Sequence, residues 1–447
     1  MKYDVIVVGA GAAGLAAAGD LAFHGFNVLL LEARERAGGR IFTVAHGPQA
    51  AAAVDLGAEF IHGRPGQTFA ITRAASLPVY ETGGTHLFQN GPGIAPRGDF
   101  WQQVEPVLDG LATAHGQESF AAYAQRKFPG ATNLRRREAA TSYVEGFNAA
   151  EARIISAREL ALEQKMAEKI DEQRSFRIVG GYGQLIAAML KNLGGRVELK
   201  MGRPVDQIHW TRGGVRVATT GALGNQETHF AAKLLLTVPL GVLQQPATAA
   251  SALRFTPELP ADKQRAAQRL AMGAVVKLVF GFRAPFWEEL PEKSYRPLLF
   301  DMGFLHVRPA AFPAWWTMAP LRTNFLTAWA GGAAALKLKS LPREQLARQA
   351  INELADVLRV KRTTVAGLVD RMYWHNWQED PFSCGAYSYV PFNARGMRKA
   401  LAEPIDNTLY FAGEATEHTG LASTVAGAIA SGQRAAAEIA AAHEPTR

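Results

Sequence analysis

The chain has 447 residues, 48% hydrophobic and 20% charged, an ordinary globular composition that excludes a disordered or collagen-like chain and fits roughly three domain-equivalents. Its 48 Lys and Arg against 40 Asp and Glu leave a formal charge of +8, and the longest basic run, Arg135-Arg136-Arg137, reads as a solvated helix face rather than a nucleic-acid patch. The single cysteine, Cys384, permits no intrachain disulfide or cysteine-built zinc site, which suits a cytoplasmic location, and no run of about 18 apolar residues offers a membrane span.

Lys2 followed by the apolar run Val5 to Ala18 has the outline of a secretory signal, with Ala16-Ala17-Ala18 as a cleavage site. Asp4 stands where such a signal should be basic, and glycines interrupt the run at meaningful intervals, so the signal reading loses. Tyr3 to Val8 reads instead as a parallel strand buried on both faces. Gly9-Ala10-Gly11-Ala12-Ala13-Gly14 follows, then the helix-forming run Leu15 to His24, then a second buried strand at Asn27 to Leu31 that ends in Glu32. Gly9 permits the tight turn, Gly11 lets the backbone approach a pyrophosphate, and Gly14 lets helix and strand pack closely. The helix N-terminus offers N–H groups to the phosphates, and Glu32, eighteen residues beyond Gly14, can accept from ribose hydroxyls. The fingerprint alone leaves NAD and FAD both open.

The continuation Glu32-x-x-x-Arg36-x-Gly38-Gly39-Arg40 resembles the flavoprotein amine oxidase superfamily, which includes monoamine oxidases, polyamine oxidases and lysine-specific histone demethylases. Asp55-Leu56-Gly57-Ala58-Glu59-Phe60-Ile61-His62-Gly63 is most similar to the polyamine oxidase form of the segment that nears the flavin. The resemblance implies an α/β fold: a Rossmann-type FAD-binding domain of discontinuous segments (1–75, 181–245 and 385–447) and an α+β substrate-binding domain (76–180 and 246–384). Residues of about 97–175, including a helix over Arg153 to Ile170, have helical spacing and read as a helical subdomain over a substrate channel. Gly180-Gly181-Tyr182-Gly183 starts another helix at a domain crossing, and Arg196 to His209 holds two short strands. From about 246 to 384 the composition turns aromatic.

The resemblance implies FAD-binding roles for Gly9, Gly11, Gly14, Glu32, Arg34, Gly39 and Arg40, for Val205 at the adenine, and for Gly413 and Glu414 at the ribityl chain. Helix N–H groups at Thr424 and Val425 would face the flavin pyrimidine. It also assigns Lys277, inside the apolar strand Val275 to Phe280, to a water beside flavin N5; read alone, that lysine would snorkel from an edge strand. In Trp377-Gln-Glu-Asp-Pro-Phe-Ser-Cys-Gly-Ala-Tyr387, Trp377 would pack beside the isoalloxazine and Tyr387 would form one wall of an amine cage. Core packing is the commoner fate of both aromatics. Monoamine oxidases carry a flavin-linked cysteine just before this tyrosine; here Ala386 stands there, so non-covalent FAD is expected. Many members of the family place a second cage aromatic just before the last helix; Thr419-Gly420-Leu421 has none, so either the cage is half-built or a tryptophan such as Trp315 or Trp316 completes it from another segment.

What the resemblance implies is an FAD-dependent amine oxidase. A hydride leaves the amine α-carbon for flavin N5, oxygen reoxidises the flavin to give hydrogen peroxide, and the imine hydrolyses to an aldehyde. For a polyamine substrate, Glu59 and His62 are the candidates for holding distal ammonium groups. The expected partners are a small-molecule amine and oxygen, with no metal, no nucleic acid and no membrane, in a monomer or homodimer. An L-amino-acid oxidase, with an arginine gripping the substrate carboxylate, stays open. A desaturase or protoporphyrinogen-type oxidase shares the FAD motifs, and a non-catalytic flavin-binding interaction protein is the reading from a different class.

Overall fold

A computed structural model describes residues 2–46, 53–90, 93–96, 100–221, 224–290 and 296–442. Its first centre is a five-stranded parallel sheet in the order Val197–Lys200, Val28–Leu31, Val5–Val8, Lys233–Leu236, Leu409–Phe411. Val5 to Val8 is buried at every position because both faces are covered. Val5 and Val7 pack against the helices Ala12–Phe23 and Val425–Ala441, while Ile6 and Val8 pack against Val205, Ile208 and Val217 of a second, four-stranded sheet. This two-sided burial is why the strand reads as a continuous apolar run rather than an alternating one.

The second centre is a seven-stranded sheet in the order Val369–Trp374, Val275–Phe282, Phe325–Gly331, Ala314–Trp316, Met302–His306, Thr85–Asn90, Gly93–Pro96. Alternation divides its side chains between two faces. Leu278, Phe280, Leu326, Ala328, Trp315 and Leu305 point to a core shared with the helix Arg343–Leu358. The opposite face carries Lys277, Trp329, Trp316, Phe304, His306 and His86, brought level by the pairings Lys277↔Trp329, Phe304↔Trp316 and Phe304↔His86. That face looks onto a cavity.

Across the cavity stand the helices Phe100–Asp109, Leu134–Asn148 and Ala157–Lys169, with the helix Phe120–Lys127 packed into their shared core. The helix that ends at Lys169 starts at Ala157, not at Arg153 as the sequence suggests, because the Ser156 hydroxyl accepts from Glu159 N at 3.3 Å and caps it there. Lys277 does not snorkel from an edge: its strand is flanked on both sides and its side chain is only 3% exposed.

Candidate active site

A cavity of about 1610 Å³ runs from the Gly9–Gly14 turn, past the edge of the seven-stranded sheet, to the helical subdomain. At the N-terminal end the glycines divide the work. Gly9 has φ +107°, a left-handed conformation, and a Cβ there would stand 2.7 Å from Thr237 Oγ1. A Cβ on Gly14 would fall 1.8 Å from the Gly9 carbonyl oxygen, so helix and turn pack backbone to backbone. A Cβ on Gly11 meets nothing within 4 Å, and one on Gly39 meets only Gly11 Cα at 3.6 Å. The two glycines lie side by side, and the space a Cβ on Gly11 would enter is open to the cavity, room that a diphosphate could take.

Glu32 is buried at the cradle's end, one oxygen accepting from Ala10 N at 2.8 Å and the other from Arg34 N at 2.9 Å. Each oxygen keeps a lone pair for ribose hydroxyls. The Arg34 guanidinium is committed to Asp380 at 2.5 Å and Ser383 at 2.9 Å, so it ties the first turn to the segment after Trp377. Arg40 donates to Ala386 O at 2.5 Å and Glu414 at 2.9 Å. Glu414 also accepts from Ser388 Oγ at 2.7 Å; burial opposes its ionisation, but Arg40 and Arg398 hold its carboxyl below the ordinary value. Val205 and Gly413 line the same cavity, Gly413 at φ +118°. Thr424 caps the helix Val425–Ala441 by accepting from Gly427 N at 3.0 Å, which leaves the first helical N–H groups at the cavity wall. The open glycines, the ribose acceptor and the capped helix end all fit FAD.

Lys277 belongs to a buried cluster of charges. Its Nζ lies 2.6 Å from Glu59 Oε2 and donates to Gly57 O at 3.1 Å. The other Glu59 oxygen is 2.7 Å from Arg177, and Trp316 Nε1 donates to the same carboxylate at 3.1 and 3.2 Å. Burial opposes ionisation of Glu59, but the two cations outweigh it and hold the group below its ordinary value. Both oxygens are therefore taken, and Glu59 is not the free carboxylate for a distal ammonium that the sequence suggested. His62 changes role too: burial lowers its pKa to about 4, so it lines the cavity as a neutral ring between Phe60 and Phe147.

Trp377 is 4% exposed, donates to Leu56 O at 2.9 Å, and has its ring edge against Gly57, where a Cβ would lie 3.0 Å from it. Tyr387 lines the cavity and donates to Phe147 O at 2.6 Å. Consecutive residues face opposite ways, so Trp316 reaches the cavity while Trp315 is fully buried in the core behind it. Trp329, which packs against the same small cluster as Tyr387, and Phe304 complete the wall. Sequence reading missed Arg177 and gave Trp329 and Phe304 no role; the only available signal was alternation along strands whose pairing it could not know.

Farther out, the cavity is lined by Glu105, Asp109, Glu163, Glu168, Asp171 and Glu172 from the helical subdomain. Burial pushes Glu163 and Glu172 up to about 7, and neither carboxylate has a hydrogen-bond or ion-pair partner among the described residues. The guanidinium of Arg308 sits over Phe100 at 4.7 Å. Among the described residues, no helix is long and apolar enough to cross a membrane.

Comparison with known proteins matches residues 101–440 to the family "Flavin containing amine oxidoreductase" and residues 7–74 to an NAD(P)-binding Rossmann-like domain. Lysine-specific histone demethylase 1 homolog 2 of Arabidopsis thaliana is 29% identical over 461 residues, covering 98% of this chain and 58% of its own length. Lysine-specific histone demethylase 1 homolog 3 of Oryza sativa subsp. japonica is 30% identical, over 97% of this chain and 54% of its own. The chain thus spans about half the length of the curated relatives it matches. Among solved structures, cyclohexylamine oxidase from Brevibacterium oxydans IH-35A superposes with a TM-score of 0.81 at 20% identity over 100% of both chains. A putrescine oxidase superposes with a TM-score of 0.80 at 22% identity over 99% of both.

Proposed function

The chain belongs to the flavin-containing amine oxidoreductase family and its cofactor is FAD; from that premise we propose that it oxidises small aliphatic amines carrying a second cationic group, with oxygen as acceptor. The observation that carries this reading is the charge pattern of the cavity. The chain as a whole is +8, yet of six acids that line the outer cavity Asp171 pairs, with Glu81, to Arg174, and the other five stand against Arg308. Such a mouth attracts ammonium groups whatever the total charge, because the local field governs approach.

Bound in its cradle, FAD supplies the two-electron oxidation of the amine to an imine, with oxygen taken to hydrogen peroxide. The protein's own part is positional and electrostatic. Tyr387, Trp329, Trp316 and Phe304 make an apolar slot that excludes water and lays the amine's carbon chain flat. Helix N–H groups at Val425 line the cavity and would favour negative charge on a flavin ring held against them. Lys277 has three N–H groups, of which Glu59 and Gly57 take two; the third is available to a water or to oxygen. Glu163 and Glu172, ionised above about pH 7, hold the distal ammonium.

An L-amino-acid oxidase would need an arginine at the reacting carbon. Arg177 is neutralised by Glu59, and Arg308 lies four residues beyond Phe304, about 13 Å along an extended chain. Both positions favour the amine over the amino acid. Anaerobic bleaching of the flavin's visible absorbance tests the proposal. Putrescine, spermidine, N-acetylated polyamines, cyclohexylamine, a methyl-lysine peptide and L-amino acids are each added to the oxidised protein. Rapid bleaching by the diamines supports it, bleaching by L-amino acids alone refutes it, and a protein that none of them bleaches has no amine oxidase activity of this kind.

A further inference from the structure

We infer that Glu59 is the positioning residue for Lys277, and that its bond to Trp316 ties the placement of the lysine to the wall on which substrate lies. The inference rests on the amine oxidase reading and on the role given there to Lys277. One carboxylate serves three neighbours: Lys277 at 2.6 Å, Arg177 at 2.7 Å and the indole N–H of Trp316 at 3.1 Å. It is itself held still. Arg177 donates to Thr317 O at 3.1 Å and lies over the Phe60 ring at 4.4 Å, so the charge on the far side of Glu59 is fixed to the strand that carries Trp316.

Among the described residues Lys277 has one other acceptor, Gly57 O, and its stem is a flexible four-carbon chain. Without the Glu59 carboxylate, one contact remains to aim the ammonium, and two buried cations face each other. Asp55 is a second carboxylate whose field reaches Lys277, with its oxygens engaged by Thr43 and Tyr182 N; Tyr80 faces Arg177. Neither replaces Glu59, because neither ion-pairs with the lysine. The indole of Trp316 forms part of the slot and rests 5.7 Å from Trp329 and 5.5 Å from Phe60. Displacement of that ring by a bulky amine pulls on the same carboxylate that aims the lysine.

Glu59→Gln tests this, since the amide oxygen still accepts from Trp316 while the charge is lost. Two readouts are followed in the FAD-loaded protein: stopped-flow reoxidation by oxygen, and the absorbance of the oxidised flavin against pH, which needs no turnover. The expected result is reoxidation slowed by between about tenfold and about 100-fold, as for a group misplaced by about 1 Å. Both pH profiles move, Glu59→Asp recovers part of the loss, and Glu59→Gln adds nothing in a Lys277→Met background. Flavin-loaded Glu59→Gln reoxidised at the parental rate overturns the inference, as do losses that multiply in the double variant. If Glu59→Gln does not fold, Glu59→Asp decides: a parental rate there overturns the inference equally. Lys277→Met at the parental rate removes the lysine's role and this inference with it. A slow Lys277→Met beside an unaffected Glu59→Gln removes this inference alone.

Discussion

Substituting Gly11 and Gly14 separates cofactor binding from folding within a single motif. At Gly11 the backbone has φ −78°, which any residue adopts, and a new Cβ meets nothing within 4 Å. Gly11→Val therefore changes the stability of the FAD-free protein by no more than about 1 kcal/mol, the entropy removed from the unfolded chain offsetting the poorer helix start. The same branched side chain enters the open space beside Gly11, where a phosphate would meet backbone N–H groups. Losing two or three such charge-assisted bonds, each of about 1.5 kcal/mol or more, weakens FAD binding at least 100-fold. At Gly14 the added Cβ lies 1.8 Å from the Gly9 oxygen, backbone against backbone, and Gly14→Val costs about 3 kcal/mol or more. Thermal melts with and without added FAD, together with the flavin-to-protein absorbance ratio, check both. FAD at 100 times its Kd raises stability by about 2.7 kcal/mol in the parent and by almost nothing in Gly11→Val. A Gly11→Val protein purified with stoichiometric flavin, or one that melts as early as Gly14→Val, refutes the reasoning.

The pH dependence of diamine binding is expected to follow Glu163 and Glu172: as pH rises through about 7 both ionise, so KM for a dication falls, and Glu163→Gln with Glu172→Gln flattens that limb while leaving a monoamine's KM unchanged. A parental slope in the double variant contradicts this. Asp55 acts on stability with the opposite sign, because burial raises its folded-state pKa to about 6 and the native state holds the proton more tightly than the unfolded chain. Stability is lost as pH rises from about 4 through about 6, by up to about 3 kcal/mol. The melting temperature of Asp55→Asn should thus gain on the parent between about pH 4 and about pH 8, and equal differences at both ends would refute the assignment. With Ala386 preceding Tyr387, acid precipitation should release all of the flavin; colour retained in the pellet would show a covalent link.

The dinucleotide cradle was legible in the sequence because its parts are neighbours along the chain. Strand, turn, helix and acid occupy Val5 to Glu32, and each glycine's task follows from local backbone geometry. The buried lysine was legible as an anomaly, a charge inside an apolar run. What answers that charge was not, since Gly57, Glu59 and Arg177 come from segments 100 to 220 residues away. Strand pairing across the seven-stranded sheet decided the rest. Trp315 and Trp316 are adjacent in sequence and alike in chemistry, and only the face each turns to makes one core and the other wall. Glu59 shows the same limit: the resemblance to polyamine oxidases suggested a carboxylate for the substrate's distal ammonium, and tertiary contact consumed both oxygens. Local backbone conformation is written in contiguous residues, whereas the partner that neutralises a buried charge is set by how distant segments meet.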